Sequence, residues 1–151
     1  MQPFRFRLQR VLDWQQKVCQ AEEEKLRLRI LEVAHSQEKL AKLAARSVAM
    51  EQEFLARRAM IPADLKAFAE FRRSTVKERQ ELVREQEKRE KLLAEQRQKL
   101  LTERRKLQVF EKLRERAWSE HRAAEDREIE ALGLESYLSG FLRRHSASQP
   151  E

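Results

Sequence analysis

The residues able to hold a metal or move a proton are few and scattered. Glu32 and His35 form a Glu-x-x-His pair, which would share one face of a helix. Di-iron bundles use this spacing, but they need a second copy and two more carboxylates inside the same core. The chain has no second copy. His121 and Glu125 stand one helical turn apart, a spacing that reads as a surface pair. Cys19 is the single cysteine, which excludes an intramolecular disulfide and a cysteine metal cluster. There is no phosphate-binding glycine loop and no nucleophile elbow. The expectation is a protein that is not an enzyme, with no catalytic residue, no cofactor, no metal and no small-molecule substrate.

The elements that would position any site are equally plain. The chain has no asparagine, two glycines (Gly133 and Gly140) and three prolines (Pro3, Pro62 and Pro150). Compact folds need turns, and turns draw on Gly, Pro, Asn and Asp. Charged residues make up 39% of the chain and aromatic residues 7%, the composition of coiled coils and long helices. The punctuation predicts an all-α chain of two long helices, at about 4–60 and 63–132. At a rise of ~1.5 Å per residue they would be rods of about 85 and 105 Å. The bend is placed near 59–64, where Pro62 suits a helix start and Asp64 its first turn. Gly133 is the expected end of the second helix. A short amphipathic segment would follow at 134–142, then a disordered tail at 143–151.

Seven-residue columns run along both helices. The first has Leu12, Cys19, Leu26, Val33, Leu40, Ser47, Phe54 and Ile61. Its companion column is polar early (Gln15, Glu22, Arg29, Ser36) and becomes apolar at Leu43 and Met50. The second helix offers Leu93, Leu100 and Leu107, flanked by Phe68, Leu82, Phe110, Ala117 and Ala124. A narrow seam with a period near 3.5 is the coiled-coil pattern. Folding the chain back at Pro62 sets Phe54 near Phe71, Leu40 near Leu82 and Val83, Val33 near Leu92 and Leu93, Leu26 near Leu100, Cys19 near Leu107, and Leu12 near Phe110 and Leu113, so apolar layers are expected along the whole length. Each buried Leu or Phe contributes ~1.5–3 kcal/mol. The predicted architecture is an antiparallel coiled-coil hairpin spanning 1–142, with the second helix the longer.

The net charge of +7 is unevenly placed: residues 1–70 carry +3, 71–116 carry +7 and 117–151 carry −3. A basic stretch can meet nucleic acid, anionic lipid or an acidic protein. Mixed-sign pairs such as Glu81–Glu85–Arg89 beside Arg84–Lys88 favour a solvated face, and no nucleic acid is expected. No secretory signal is visible, because Arg5, Arg7, Arg10 and Asp13 interrupt the first apolar residues. No run approaches the ~18 apolar residues of a membrane span. A reducing, cytoplasmic compartment is expected.

Aromatic residues gather at the open end of the predicted hairpin: Phe4, Phe6, Trp14, Trp118 and Tyr137, interleaved with Arg5, Arg7 and Arg10. They either cap the coil's own core or form a docking end, because interfaces favour Trp, Tyr, Phe and Arg. Phe68 and Phe71, three apart near the start of the second helix, pose the same choice between core packing and a partner contact.

The opening Phe4-Arg5-Phe6-Arg7-Leu8-Gln9-Arg10-Val11-Leu12 resembles the start of the flagellar export protein FliJ family. Asp64-Leu65-Lys66-Ala67-Phe68-Ala69-Glu70-Phe71 resembles that family's helix-two start, and the stretch from Arg105 to Arg116 resembles its late Lys/Arg-rich segment. The similarity spans about residues 4–138. The family ends helix two with an Asp-Glu pair; here Leu132-Gly133-Leu134-Glu135 keeps only Glu135.

The resemblance implies a non-enzymatic stalk of the flagellar type III export apparatus, similar to the central stalk of rotary ATPases. It implies that the end bearing both termini enters the export ATPase hexamer, through Phe4, Arg5, Phe6, Arg7, Leu134, Glu135, Tyr137, Leu138 and Phe141. It implies an export-gate membrane protein as a second partner, contacted through Phe68 and Phe71, and export chaperones as a third. The chain would be a monomer or weak dimer alone, cytoplasmic and peripheral at the inner membrane. An injectisome or rotary-ATPase stalk shares this architecture. Rivals of another class are a basic binder of nucleic acid or anionic membrane, and a scaffold whose thin seams pair into four-helix dimers.

Overall fold

The computed structural model describes residues 3–146. Among them there are two helices and no strand: α1, Gln9–Leu55 (47 residues), and α2, Pro62–Ser146 (85 residues). The two helices pack against each other.

Helix α1 begins five residues later than the composition suggests. Residues 3–6 are not helical. Phe4, Phe6 and Leu8 are half-buried, while Arg5 and Arg7 between them are exposed. This is the two-residue alternation of an extended chain. The sequence Phe-Arg-Phe-Arg-Leu carries that alternation, and it overrides the general helix-forming composition. The Gln9 N–H then donates to the Phe6 carbonyl at 3.1 Å, and the Leu12 N–H to the Leu8 carbonyl at 3.0 Å.

The chain between the helices uses no positive φ and no glycine. The Arg57 N–H donates to the Phe54 carbonyl at 3.3 Å, the tightened closing turn that satisfies helix-end carbonyls. Pro62 disfavours a helical Ile61, so the new helix starts at the proline itself. The Ile61 carbonyl accepts from the N–H groups of Asp64 at 3.0 Å and Leu65 at 3.3 Å. The Arg57 guanidinium lies 3.5 Å from the Asp64 carboxylate. The bend is therefore at 56–61 rather than 59–64.

Helix α2 does not stop at Gly133. Neither glycine has positive φ, so neither adopts the left-handed conformation of a glycine helix end. A helical glycine costs about 1 kcal/mol relative to alanine, which a single residue among good helix formers does not turn into a stop. The segment 134–142 is thus part of α2, and the expected tail is helical over 143–146; residues 147–151 lie outside the described residues.

The chain forms two compact units. One is Val18–Arg104. On its α1 side Cys19, Glu22, Leu26, Arg29, Val33, Ser36, Leu40, Leu43 and Ser47 are among the less exposed positions, and they step alternately by three and four. On its α2 side Phe68, Phe71, Thr75, Glu78, Leu82, Glu85, Arg89, Leu93, Gln96, Leu100 and Glu103 do the same, with one additional step of four between Arg89 and Leu93. An inserted step of this kind locally unwinds a heptad pattern.

The polar column of α1 is as much a part of this seam as the apolar one. Ser36 is 2% exposed. Arg89 donates to its hydroxyl at 2.7 Å and to the Glu32 carbonyl at 3.2 Å, and also to the Glu85 carboxylate. Gln96 donates to the Glu22 carbonyl at 3.1 Å and to the Glu22 carboxylate. Lys25, the larger influence, and Gln96 hold that carboxyl below its ordinary range. Thr75 is buried, and its hydroxyl has no hydrogen-bond partner among the described residues. The expectation of apolar layers along the whole length is corrected accordingly. Hydrogen-bonded polar layers alternate with Val33, Leu43, Leu93 and Leu100, because the side chains at those heptad positions are long enough to reach backbone carbonyls across the seam.

The other unit comprises the described residues of Met1–Lys17 and Arg105–Glu151. Its centre is Leu12 and Gln15, at 1% and 2% exposed. On α2 the positions 107, 110, 117, 121 and 125 are half-buried, and every residue from 126 to 139 is exposed.

Candidate interaction surfaces

The Phe4 ring lies against α2. Its centroid is 5.0 Å from the Trp118 indole at 81° and 5.5 Å from the His121 ring at 74°. Edge-to-face aromatic contacts contribute about 0.5–1.5 kcal/mol beyond the area they bury. Phe4 therefore ties the extended N-terminal segment down. Arg5 and Arg7 point outward and carry the segment's charge into solvent. Trp118 itself remains 48% exposed, and the groove beside it is lined by Phe4, Glu111, Arg114, Glu115 and Trp118.

The second half of the expected docking end stands apart from the first. Leu134, Tyr137, Leu138 and Phe141, together with Leu142, are between 43% and 65% exposed, and Glu135 is exposed beside them. Their spacing places the five apolar side chains in one stripe along α2. From His121, where Phe4 ends its contact, Leu134 is thirteen residues on, about 20 Å along a helix. The nine residues thus form two surfaces, a packed aromatic strap and an open apolar stripe, rather than one cluster.

Phe68 and Phe71 also divide. Phe68 stacks on Phe54, with centroids 4.0 Å apart and planes inclined at 4°. Phe54 was expected beside Phe71, one turn further along α2. Phe71 instead lies under the Arg46 guanidinium, 6.0 Å from the ring centroid, and Arg46 pairs with Glu78 at 3.0 Å. Phe71 is half-buried and borders a shallow groove with Met50, Glu53, Phe54 and Arg57. Both rings are half-buried and line this groove; Phe68 packs on Phe54 and Phe71 under Arg46.

The acid–histidine residues make local contacts within their own helices, with His35 exposed and Glu32, His121 and Glu125 half-buried. The Glu32 carboxylate takes Arg29 at 2.9 Å, and His35 lies 4.0 Å from Glu38. His121 lies 3.7 Å from Glu125. Among the described residues no group of three or more His, Cys, Asp or Glu side chains could hold a metal ion, and no helix is long and apolar enough to cross a membrane.

Arg89, Gln96 and the column Gln15, Glu22, Arg29, Ser36 are seam positions that an apolar pattern alone does not pick out. Their seven-residue spacing was the signal; their polarity hid it. Compared with family models, curated proteins and solved structures, the chain matches none.

Proposed function

We propose that the chain is a FliJ-like antiparallel coiled coil that serves as a non-enzymatic stalk of the flagellar type III export apparatus. Its N-terminal strap and the apolar stripe of α2 bind the export ATPase hexamer. Phe71 meets the export-gate membrane protein, export chaperones are further partners, and the protein works at the cytoplasmic side of the inner membrane.

The antiparallel reading is supported by the inter-helix pairs of the Val18–Arg104 unit. Glu23 pairs with Arg104, Glu22 with Gln96, Ser36 with Arg89, Arg46 with Glu78 and Phe54 with Phe68. From Glu22 and Glu23 through Ser36 and Arg46 to Phe54 on α1, the partners on α2 run back from Gln96 and Arg104 through Arg89 and Glu78 to Phe68.

The observation that carries the functional reading is the apolar stripe at Leu134–Leu142. Five large apolar side chains lie together and exposed, and clustered apolar surface marks a contact site. A ring lumen is a concave surface able to bury such a stripe from several sides. The family resemblance of the N-terminal residues supplies the identity of the ring. The test is a pull-down of the intact chain with a flagellar export ATPase, followed by an ATPase assay. Co-purification with raised turnover supports the proposal. Stimulation of an injectisome ATPase alone would move the assignment to that system, and neither binding nor stimulation would remove it.

A further inference from the structure

We infer that the apolar stripe at the end of α2 pairs with the same stripe of a second copy, antiparallel, and that this pairing masks the surface proposed above to bind the ATPase. The inference rests on that proposal only for its regulatory consequence; the self-pairing stands on the stripe itself.

Leu134, Tyr137, Leu138, Phe141 and Leu142 follow the i, i+3, i+4, i+7, i+8 spacing of a helix face that packs on another helix. No residue from 126 to 139 is buried or half-buried, so among the described residues no other element covers that face there. At 43% to 65% exposure they offer roughly 500 Å² per copy, so pairing would bury at most about 1,000 Å² in total, the lower edge of specific interfaces. The expected association is accordingly weak and concentration-dependent.

The charge pattern selects a second copy in the antiparallel sense. A two-fold interface must be self-complementary. A register that sets Leu134 opposite Phe141 also sets Tyr137 opposite Leu138, with Leu142 over Gly133. In the same register Glu130 of one copy reaches the level of Arg144 of the other. Both lie on the Tyr137 side of the stripe, and antiparallel helices bring like sides together. On that side Glu130 precedes the stripe and Arg144 follows it, while Asp126 and Arg127 stand a turn further back and Arg143 lies on the opposite face. An antiparallel pair therefore meets opposite charges at both ends, whereas a parallel pair would align like charges.

The consequence is competition. A stripe held by a second copy is closed to the ATPase, so self-association would keep the free protein soluble and the ATPase would release it by mass action.

Sedimentation velocity of the intact chain over a hundredfold range of concentration tests the pairing. A reversible monomer–dimer equilibrium is expected for the wild type. Leu138→Arg should abolish it, with circular dichroism confirming the helices. Glu130→Arg and Arg144→Glu should each weaken dimerisation at least threefold, and the double variant should restore it. A wild type that stays monomeric throughout, or a dimer indifferent to Leu138→Arg, would overturn the inference. So would a double charge reversal that restores nothing. A monomer that still stimulates the ATPase would refute self-pairing and spare the proposed function. A dimer that never binds the ATPase would do the reverse.

Discussion

The Phe4 ring meets the Trp118 indole edge to face, 5.0 Å between centroids. The first residues are therefore an extended strap fastened to α2, not the first turn of α1. Phe4→Ala should release the strap and leave both helices in place. In a Trp14→Phe background, Trp118 emission should shift to the red, with helical ellipticity almost unchanged. Unaltered emission would mean that Phe4 does not rest on Trp118.

The Arg89–Ser36 contact predicts a larger effect in the middle of the seam. Ser36→Val removes the hydroxyl that accepts from Arg89 at 2.7 Å and places an apolar group against a guanidinium. Leaving a desolvated donor without its acceptor costs about 1–3 kcal/mol, so chemical denaturation should show a loss in that range. A gain in stability would mean that Ser36 faces an apolar layer.

Acid should weaken the same unit. The Glu22 carboxyl is held below its ordinary range by Lys25 first and Gln96 second. A group whose pKa is lower folded than unfolded adds stability above its unfolded value and loses it as the pH falls through its folded value. Stability from Glu22 is thus present at neutral pH. Glu22→Gln should flatten the acid limb of a stability–pH curve, and an identical limb in wild type and variant would contradict the assignment.

Gly133 separates a continuous α2 from an interrupted one. A Cβ built there meets nothing within 4 Å, and φ is not positive. Gly133→Ala should raise stability by about 0.5–1 kcal/mol, through helix propensity and a less flexible unfolded chain. A loss would indicate a left-handed glycine ending the helix.

Two helices around Pro62 were legible in the sequence, because turn-forming residues are almost absent between the few helix breakers. The strap was written in the alternation of Phe4, Phe6 and Leu8 with Arg5 and Arg7, but the surrounding helix-forming composition concealed it. Gly133 misled because a glycine ends a helix only when the chain takes up positive φ there, which one residue type does not decide. The polar seam positions had the right spacing. What was missing is three-dimensional: whether Arg89 and Gln96 can reach acceptors on α1 depends on register. Of the candidate surfaces, the exposed stripe at Leu134–Leu142 followed directly from helical spacing. The division of Phe68 from Phe71 did not, since either ring could have stacked on Phe54.

Stimulation of the export ATPase by a variant that keeps its fold tests the central claim most directly. Leu134→Ser, Leu138→Ser and Phe141→Ser combined remove three of the stripe's five apolar side chains without touching the seam or the strap. Interface anchors often contribute 2 kcal/mol or more each, and about 1.4 kcal/mol corresponds to tenfold in affinity. The half-maximal concentration for stimulation should therefore rise by at least about tenfold, with wild-type helicity by circular dichroism. A folded triple variant that stimulates the ATPase at wild-type concentrations would contradict the account.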